Sequence, residues 1–336
     1  MRFFVLVNDA LGLKPLQSTT LLAHTAVEHG HECFVVGVTE LSLDPQGQIL
    51  ANARQVLGHI EGAMALPAAL MRQAPSRLAL ECGDVLLIRT NPARDQVRRW
   101  AHEAALGFAH LAKSQGVCVL NDPDGLSRAS SKLYAARFAA ELQPETLISR
   151  DHAQIRQFIE DQPGPCVLKP LQGTHGNDVF KVHAQSPVNI KALLGMLTRQ
   201  GWVMAQGYLP EAVEGDIRLL LLDGQLLEVE GHVAAVQRVP AKGEFRSNIH
   251  AGGTAQQAVV TPALRRAVRL VGPQLQRDGI FLAGLDMIGG RMVEINTFSP
   301  GGFGDASAFS GGVSFCGRVI ETAARRALLF AQQREE

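Results

Sequence analysis

The 336-residue sequence lacks an excess of charge of either sign: Lys plus Arg and Asp plus Glu both number 32, with no basic tail and no acidic block. Without a basic stripe it has no electrostatic footprint for nucleic acid or an anionic membrane surface, and neither is expected as a partner. Long apolar runs are missing too. The opening FFVLV meets Asn8 and Asp9 at once, too short for a signal-peptide core, and no run approaches the roughly 20 residues of a membrane span. A cytoplasmic protein is expected.

Several motifs are absent. The five cysteines, Cys33, Cys82, Cys118, Cys166 and Cys316, are odd in number, widely spread and form no CxxC pair, so reduced buried thiols are expected rather than disulfides or zinc ligands. The eleven histidines include no HExxH, and the close pair His29 and His31 reads as a helix surface. The turn after the first apolar run, NDALGLKP, is not GxGxxG, which removes NAD and FAD as leading ligands.

What is present is a globular chain, 46% apolar and 19% charged, longer than one hydrophobic core comfortably serves. Four Val, Ile and Leu-rich runs, FFVLV, CFVVGV, DVLLIR and VCVL, alternate with helix-like stretches at 18–29 and 96–113. That alternation predicts βαβ units and a Rossmann-like α/β domain with a parallel sheet. Ligands of such sheets bind beyond the carboxyl ends of the strands, where Asn8, Asp9, Arg89 and Asn91 fall.

The turn-rich NDPDGLSRAS marks a boundary near residue 122. Beyond it, candidate strands CVLKP, DVFKV, WVMAQGYL, IRLLLLDG, QLLEVE, GLDMI and RMVEIN mix with candidate helices at 132–141, 152–161, 262–278 and 315–330. Strands abutting through DG and GG turns predict hairpins, antiparallel sheets and an α+β second half.

Three stretches carry candidate chemistry. VLKPLQGTHGNDVFKV sets Lys169 at a strand end before a loop with Gly173 and Gly176, which could curl backbone N–H groups around phosphate. It has no GK[ST] and leads to a strand, so it is no Walker loop, and an ordinary hairpin is the bland reading. EGDIRLLLLDG puts Asp216 and Arg218 on one strand face, as a structural ion pair or as a ribose and phosphate contact. RVPAKGEFRSNIHAGGTA is a long Gly-rich loop with Arg238, Arg246 and Asn248, either a lid or simply a surface loop.

GLDMIGGRMVEINTFSP is the most informative stretch. Asp286, Glu294 and Asn296 offer oxygen donors, as a hard cation such as magnesium requires, or else form a solvated hairpin face. Glu294 and Asn296 share a strand face. A two-residue turn at Gly289 and Gly290 would set residue 286 opposite 293 and strand Asp286 on the other face, whereas a three-residue turn sets 286 opposite 294. The three-residue turn is predicted.

In their order, SKLYAARF, PETLISRD, VLKPLQGTHG, MAQGYLPEAVEGDIR, the RVPAKGEFRSNIHAGGTA loop and GLDMIGGRMVEINTFSP resemble the ATP-grasp superfamily, and within it bacterial glutathione synthetases, over nearly the whole chain. The resemblance implies a Rossmann-like pre-ATP-grasp domain at 1–122, a lid subdomain at 123–206 and a C-terminal subdomain with a magnesium site at 207–336. It implies that Lys132 and Lys169 touch ATP phosphates under the loop from Gln172 to Gly176. Gln206, Gly207, Tyr208 and Leu209 would line the adenine pocket with Asp216 nearby, and Asp286, Glu294 and Asn296 would hold Mg2+, with Mn2+ as a substitute. Arg218 would steady the transferred phosphoryl group. Arg238, Arg246 and Asn248 would meet the substrate or the lid, with Arg89 on the substrate side.

The chemistry implied is ATP-dependent carboxylate–amine ligation: a carboxylate takes the γ-phosphate, and an amine displaces phosphate to form an amide. Glutathione formation from γ-glutamylcysteine and glycine is the leading expectation, and self-association is compatible with the resemblance. The chain departs from the pattern after the EIN strand, where Ser299-Pro300 is followed by Gly301-Gly302 and the Gly/Ser-rich GDASAFSGGVSF, and again at LGLKPLQSTT. The first departure borders the acceptor site, with Ser299, Gly301 and Gly302 as candidate substrate contacts. It leaves room for a ligase of another small amino acid or peptide. A non-catalytic ATP-binding protein and a kinase are the remaining alternatives; the first would bind ATP without releasing phosphate, and the second would form ADP without an amine.

Overall fold

The computed structural model describes all residues except 59, 61, 172–177, 186–187, 242–243, 245–251 and 336. The first sheet is centred on Arg2–Val7, which pairs in parallel with Glu32–Gly37 on one side and Val85–Ile88 on the other, with Cys118–Leu120 parallel beyond. These strands are buried on both faces, as their unbroken apolar runs require. The sequence reading missed an antiparallel extension made by Leu41–Leu43, Ile49–Val56 and Ser76–Ala79. ILANARQV interrupts its apolar residues with Asn52, Arg54 and Gln55, because one face meets solvent, and so it does not read as a core strand.

Helix Arg99–Ser114 covers one face through Ala101, Ala105, Ala109 and Ala112. The other face receives Ser18–Glu28 and, from the far end of the chain, Phe315–Glu335. Leu22, Ala23 and Ala26 share this core with Phe315, Val319, Ile320 and Ala323, so the last helix closes the first sheet.

A four-stranded antiparallel sheet follows, in the order Phe180–Val182, Cys166–Pro170, Val203–Gly207, Thr146–Ser149. Helices His152–Asp161 and Ile190–Arg199 cover it, each started by an acceptor side chain, Asp151 or Asn189, that satisfies free N–H groups of the first turn. The third sheet is also antiparallel and runs Thr254–Gln257, Ala235–Val239, Asp216–Leu222, Leu282–Ile288, Arg291–Asn296. It rests on helix Pro262–Arg277, whose Leu264, Ala267, Val268, Val271 and Leu275 form one buried stripe.

Three local expectations need correction. The helix predicted at 132–141 is two 3₁₀ turns, Lys132–Arg137 and Ala140–Leu142, because Phe138 turns to extended backbone and its ring packs edge-on against Tyr134, 5.3 Å between centroids. QLLEVE is two short strands, split at Leu227, whose N–H is drawn to Leu220 O.

The Asp286–Glu294 hairpin is the third. Ile288 pairs with Arg291 and Met287 with Met292, so the turn has two residues, Gly289 and Gly290, both at positive φ (53° and 80°). That is the primed turn in which glycine is favoured twice. The register then shifts, and Asp286 faces Glu294 as expected. The extra residue lies in the strand, where Val293 forms a bulge, rather than in the turn.

Candidate active site

A cavity of about 1440 Å³ lies where the carboxyl ends of the first sheet face the two antiparallel sheets. Its lining includes Lys132, Lys169, Gln206 to Leu209, Asp216, Arg218, Arg238, Asp286, Glu294 and Asn296, together with Arg89, Ser299, Gly301 and Gly302. Residues more than 200 positions apart thus meet in one space. Gly173, Gly176, Arg246 and Asn248 lie outside the described residues.

On one wall, Lys169 projects from Cys166–Pro170 with Nζ 3.4 Å from Val293 O, and Lys132 Nζ lies 3.4 Å from Leu171 O. Burial pushes the Lys169 ammonium down to about 8 and lowers Lys132 as well, with Glu294 pulling both back up. The Glu294 carboxylate has no hydrogen bond or ion pair among the described residues, so two ammonium groups and one carboxylate face the same open space. Gln206 donates Nε2 to Thr146 Oγ1 at 2.9 Å, which fixes its amide at the end of its strand. The face of Tyr208 carries the Lys181 ammonium, 3.6 Å from the ring centroid.

At the base is a network of alternating charges. Asp216 and Arg218 do not pair with each other; each finds its partner across the sheet, since Asp216 is in register with Arg238 and Arg218 with Asp286. Arg218 grips Asp286 with Nε and Nη2, the latter at 2.9 Å. Arg238 holds Asp216 in the same two-pronged way and reaches Asp286 Oδ2 at 2.9 Å. Burial alone would raise the Asp286 carboxyl, but the charges of Arg218 and Arg238 hold it at about 2. Burial likewise works against the Arg238 charge, and Asp286 and Asp216 outweigh it.

Among the described residues no three His, Cys, Asp or Glu side chains cluster as a metal site, so a cation here rests on two acids and an amide. The donor set suits a hard divalent ion. Asp286 is ionised, Glu294 is unengaged, and Asn296 donates Nδ2 to Asp286 Oδ2 at 3.2 Å, which leaves its carbonyl oxygen for a cation.

The opposite wall belongs to the first sheet. Arg89 is 4% exposed; it donates Nε to Thr19 Oγ1 at 3.3 Å and Nη2 to Pro300 O at 2.8 Å, while buried Nη1 has no partner. Burial lowers its pKa to about 10. Ser299 Oγ is 3.4 Å from Thr19 Oγ1, and Arg218 Nη1 lies 3.3 Å from Gly301 O. One turn therefore joins both arginines, and Gly302, at φ 114° against the Arg218 side chain, completes it where a side chain would be strained. Asn8 and Asn91 lock two strand ends together, Asn8 donating to Asn91 O at 3.0 Å and accepting from Asn91 N at 2.6 Å. Asp9 caps Leu11 N and lies 3.6 Å from Arg98. Sequence reasoning did not single out Thr19, Arg94 or Asp305, all on this wall. They stand in unremarkable local sequence and only the fold brings them to the cleft.

The fold and the site define an ATP-grasp ligase. The chain is similar to D-cycloserine synthetase DcsG (TM-score 0.62, 15% identity, 97% of this chain and 99% of that one) and to the ATP-grasp ligase PsnB complexed with minimal precursor (0.59, 18%, 97% and 98%). Residues 131–311 match the prokaryotic glutathione synthetase ATP-grasp domain, and residues 1–127 the N-terminal domain of the same family. The glutathione synthetase of Synechocystis sp. is 33% identical over 304 residues, covering 88% of this chain and 90% of that protein. That of Synechococcus elongatus is 32% identical over 320 residues, covering 93% and 94%. The chain belongs to the prokaryotic glutathione synthetase family. As a member it binds ATP with a divalent metal and acts on small amino acid or peptide substrates. No helix among the described residues is long and apolar enough to cross a membrane.

Proposed function

We propose that the chain makes glutathione by joining the cysteinyl carboxylate of γ-glutamylcysteine to glycine, with ATP and Mg2+. One observation carries this reading: two pKa-lowered lysines, two bidentate arginines and the Asp286, Glu294, Asn296 face converge on one cavity that also reaches the first sheet. Phosphoryl transfer needs cationic positioning more than a side-chain nucleophile, and the lining is of that kind.

Lys132 and Lys169 hold the phosphates. Gln206, Gly207, Tyr208 and Leu209 take the adenine end, and Gly173 and Gly176 would contribute phosphate contacts. Glu294, Asn296 and Asp286 would hold Mg2+, which would supply charge neutralisation for phosphoryl transfer. Arg218 steadies the phosphoryl group on the substrate carboxylate, with Arg238 holding Asp286 and Asp216 in place. Arg246 and Asn248 act from the loop after Val239. Arg89, Ser299, Gly301 and Gly302 border the substrate, and the amine then displaces phosphate to form the amide. The proposal includes the division into a substrate domain at 1–122, a lid at 123–206 and a catalytic subdomain at 207–336.

The test is phosphate release from ATP and Mg2+ with γ-glutamylcysteine, with and without glycine, and the product mass. Release that requires both, with the mass of glutathione, is the expected result. Release that needs no amine, or a product with another acceptor, would overturn this substrate pair.

A further inference from the structure

The two walls of the cavity differ in how their charges are answered. Around Asp286 every acid and every arginine of the network has a partner. On the wall built from the first sheet and the Ser299–Gly302 turn, charged groups lack a counter-charge among the described residues, Arg89, Arg94 and Asp305 among them. Arg89 is buried with Nη1 unpaired. Asp305, in the first turn of helix Phe303–Phe309, has no hydrogen bond and no ion pair among the described residues, although it is half-buried and lines the same cavity.

The other acid on this wall, Asp9, is already engaged by Arg98 and by Leu11 N. Arg89 and Asp305 do not neutralise each other. The same short segment carries both: Pro300 O anchors Arg89, and Asp305 follows five residues later. Burial raises the Asp305 carboxyl, and no ion pair among the described residues offsets it. A partly desolvated carboxylate left without a counter-charge is a cost to the empty protein that a bound cation would remove.

We infer that Asp305 is a specificity-determining residue that binds a primary ammonium group of the substrate, with Arg89 taking a carboxylate, so that this wall recognises a zwitterion. The inference rests on the ligase reading above and adds to it the residue that reads the amine. Two ammonium groups could arrive here: the α-ammonium of the γ-glutamyl portion of the donor, or the amine of the acceptor before it loses its proton. Kinetics with each ligand varied separately distinguish the two.

Steady-state kinetics of Asp305→Asn and Asp305→Glu against the unaltered enzyme would test this, with γ-glutamylcysteine, its des-amino analogue glutarylcysteine, and glycine each varied. For the donor, Asp305→Asn raises KM for γ-glutamylcysteine roughly tenfold with little change in kcat, the size expected for one lost charged hydrogen bond at a half-exposed site. It leaves glutarylcysteine unchanged, so the preference for the amine-bearing donor disappears, and Asp305→Glu restores part of it. A KM rise confined to glycine would assign Asp305 to the acceptor amine and support the ammonium site equally. Equal KM values for all three ligands in Asp305→Asn and the unaltered enzyme, with an unchanged Tm, would overturn the inference. If the unaltered enzyme does not turn over this pair, the ligase reading of the substrates fails separately. The same variants are then compared by ligand-induced Tm shift with amino acids and their des-amino analogues in the presence of AMPPNP, where loss of the amine preference in Asp305→Asn supports the site and its persistence overturns it.

Discussion

The wall around Asp286 and the wall around Arg89 carry similar residues under opposite conditions. Asp216 and Asp286 are buried and Arg218 and Arg238 half-buried, but each charge is met at hydrogen-bond distance by another, and register on neighbouring strands sets the pairing. Arg89 is more deeply buried than either arginine and, among the described residues, is met by a hydroxyl and a carbonyl, while Asp305 has no hydrogen bond or ion pair among them. In the first arrangement each charge is paired within the protein, as the proposed scaffold for phosphate chemistry would need. The second is incomplete, and unanswered charge at a cavity wall is what a substrate of complementary charge would satisfy.

The largest effect that could break this contrast is on stability. Replacing Arg238 by Met leaves Asp216 and Asp286 buried with one partner fewer, and should cost roughly 3–5 kcal/mol of unfolding free energy, read from the urea midpoint at unchanged m. Arg89→Met should cost far less, within about 1 kcal/mol, because the charge removed is itself poorly compensated. Equal costs would show that the two walls do not differ. Next in size is Lys169→Met, expected to lower kcat/KM roughly 100- to 1000-fold with the fold intact by circular dichroism. Glu294→Gln follows, with a metal requirement raised roughly 10- to 100-fold in a magnesium titration of turnover. Normal turnover of that variant at low magnesium would remove Glu294 from the metal set.

The smallest effect is a proton count. The Lys169 pKa is depressed to about 8, so half of these side chains are neutral at that pH, and phosphate bound as proposed would restore the charged form. ATP binding near pH 8 should therefore take up about half a proton, measured by calorimetry in buffers of different ionisation enthalpy, and Lys169→Met should abolish the uptake. The stability counterpart has a definite sign. Between about pH 8 and the ordinary lysine value the unfolded chain holds more protons at this site than the folded one, so this residue's contribution to stability rises with pH across that window.

Where each wall was legible follows from how local its determinants are. GLDMIGGRMVEIN shows its oxygen donors, alternation and glycine turn within 13 residues, and the prediction that Asp286 faces Glu294 holds. The turn that produces this pairing differs from the one expected, because a turn of two glycines with a bulge at Val293 and a three-residue turn place the donors alike, and nothing in the sequence separates them. Likewise Asp216 and Arg218 were visible as a same-face pair, while their actual partners were not, since Arg238 and Asp286 are 22 and 68 residues away.

By itself the sequence determined what depends on short-range pattern: the buried parallel strands from their unbroken apolar runs, the antiparallel hairpins from their glycine turns, and the residue types fit for phosphate and metal. Through its family motifs it also determined the class of chemistry. Only the tertiary structure decided which charges answer one another, that the last helix closes the first sheet, and that Thr19, Arg89 and Asp305 share a wall. Those are contacts between residues up to 300 positions apart, set by strand register and helix packing, and register is a property of the whole sheet rather than of any segment within it.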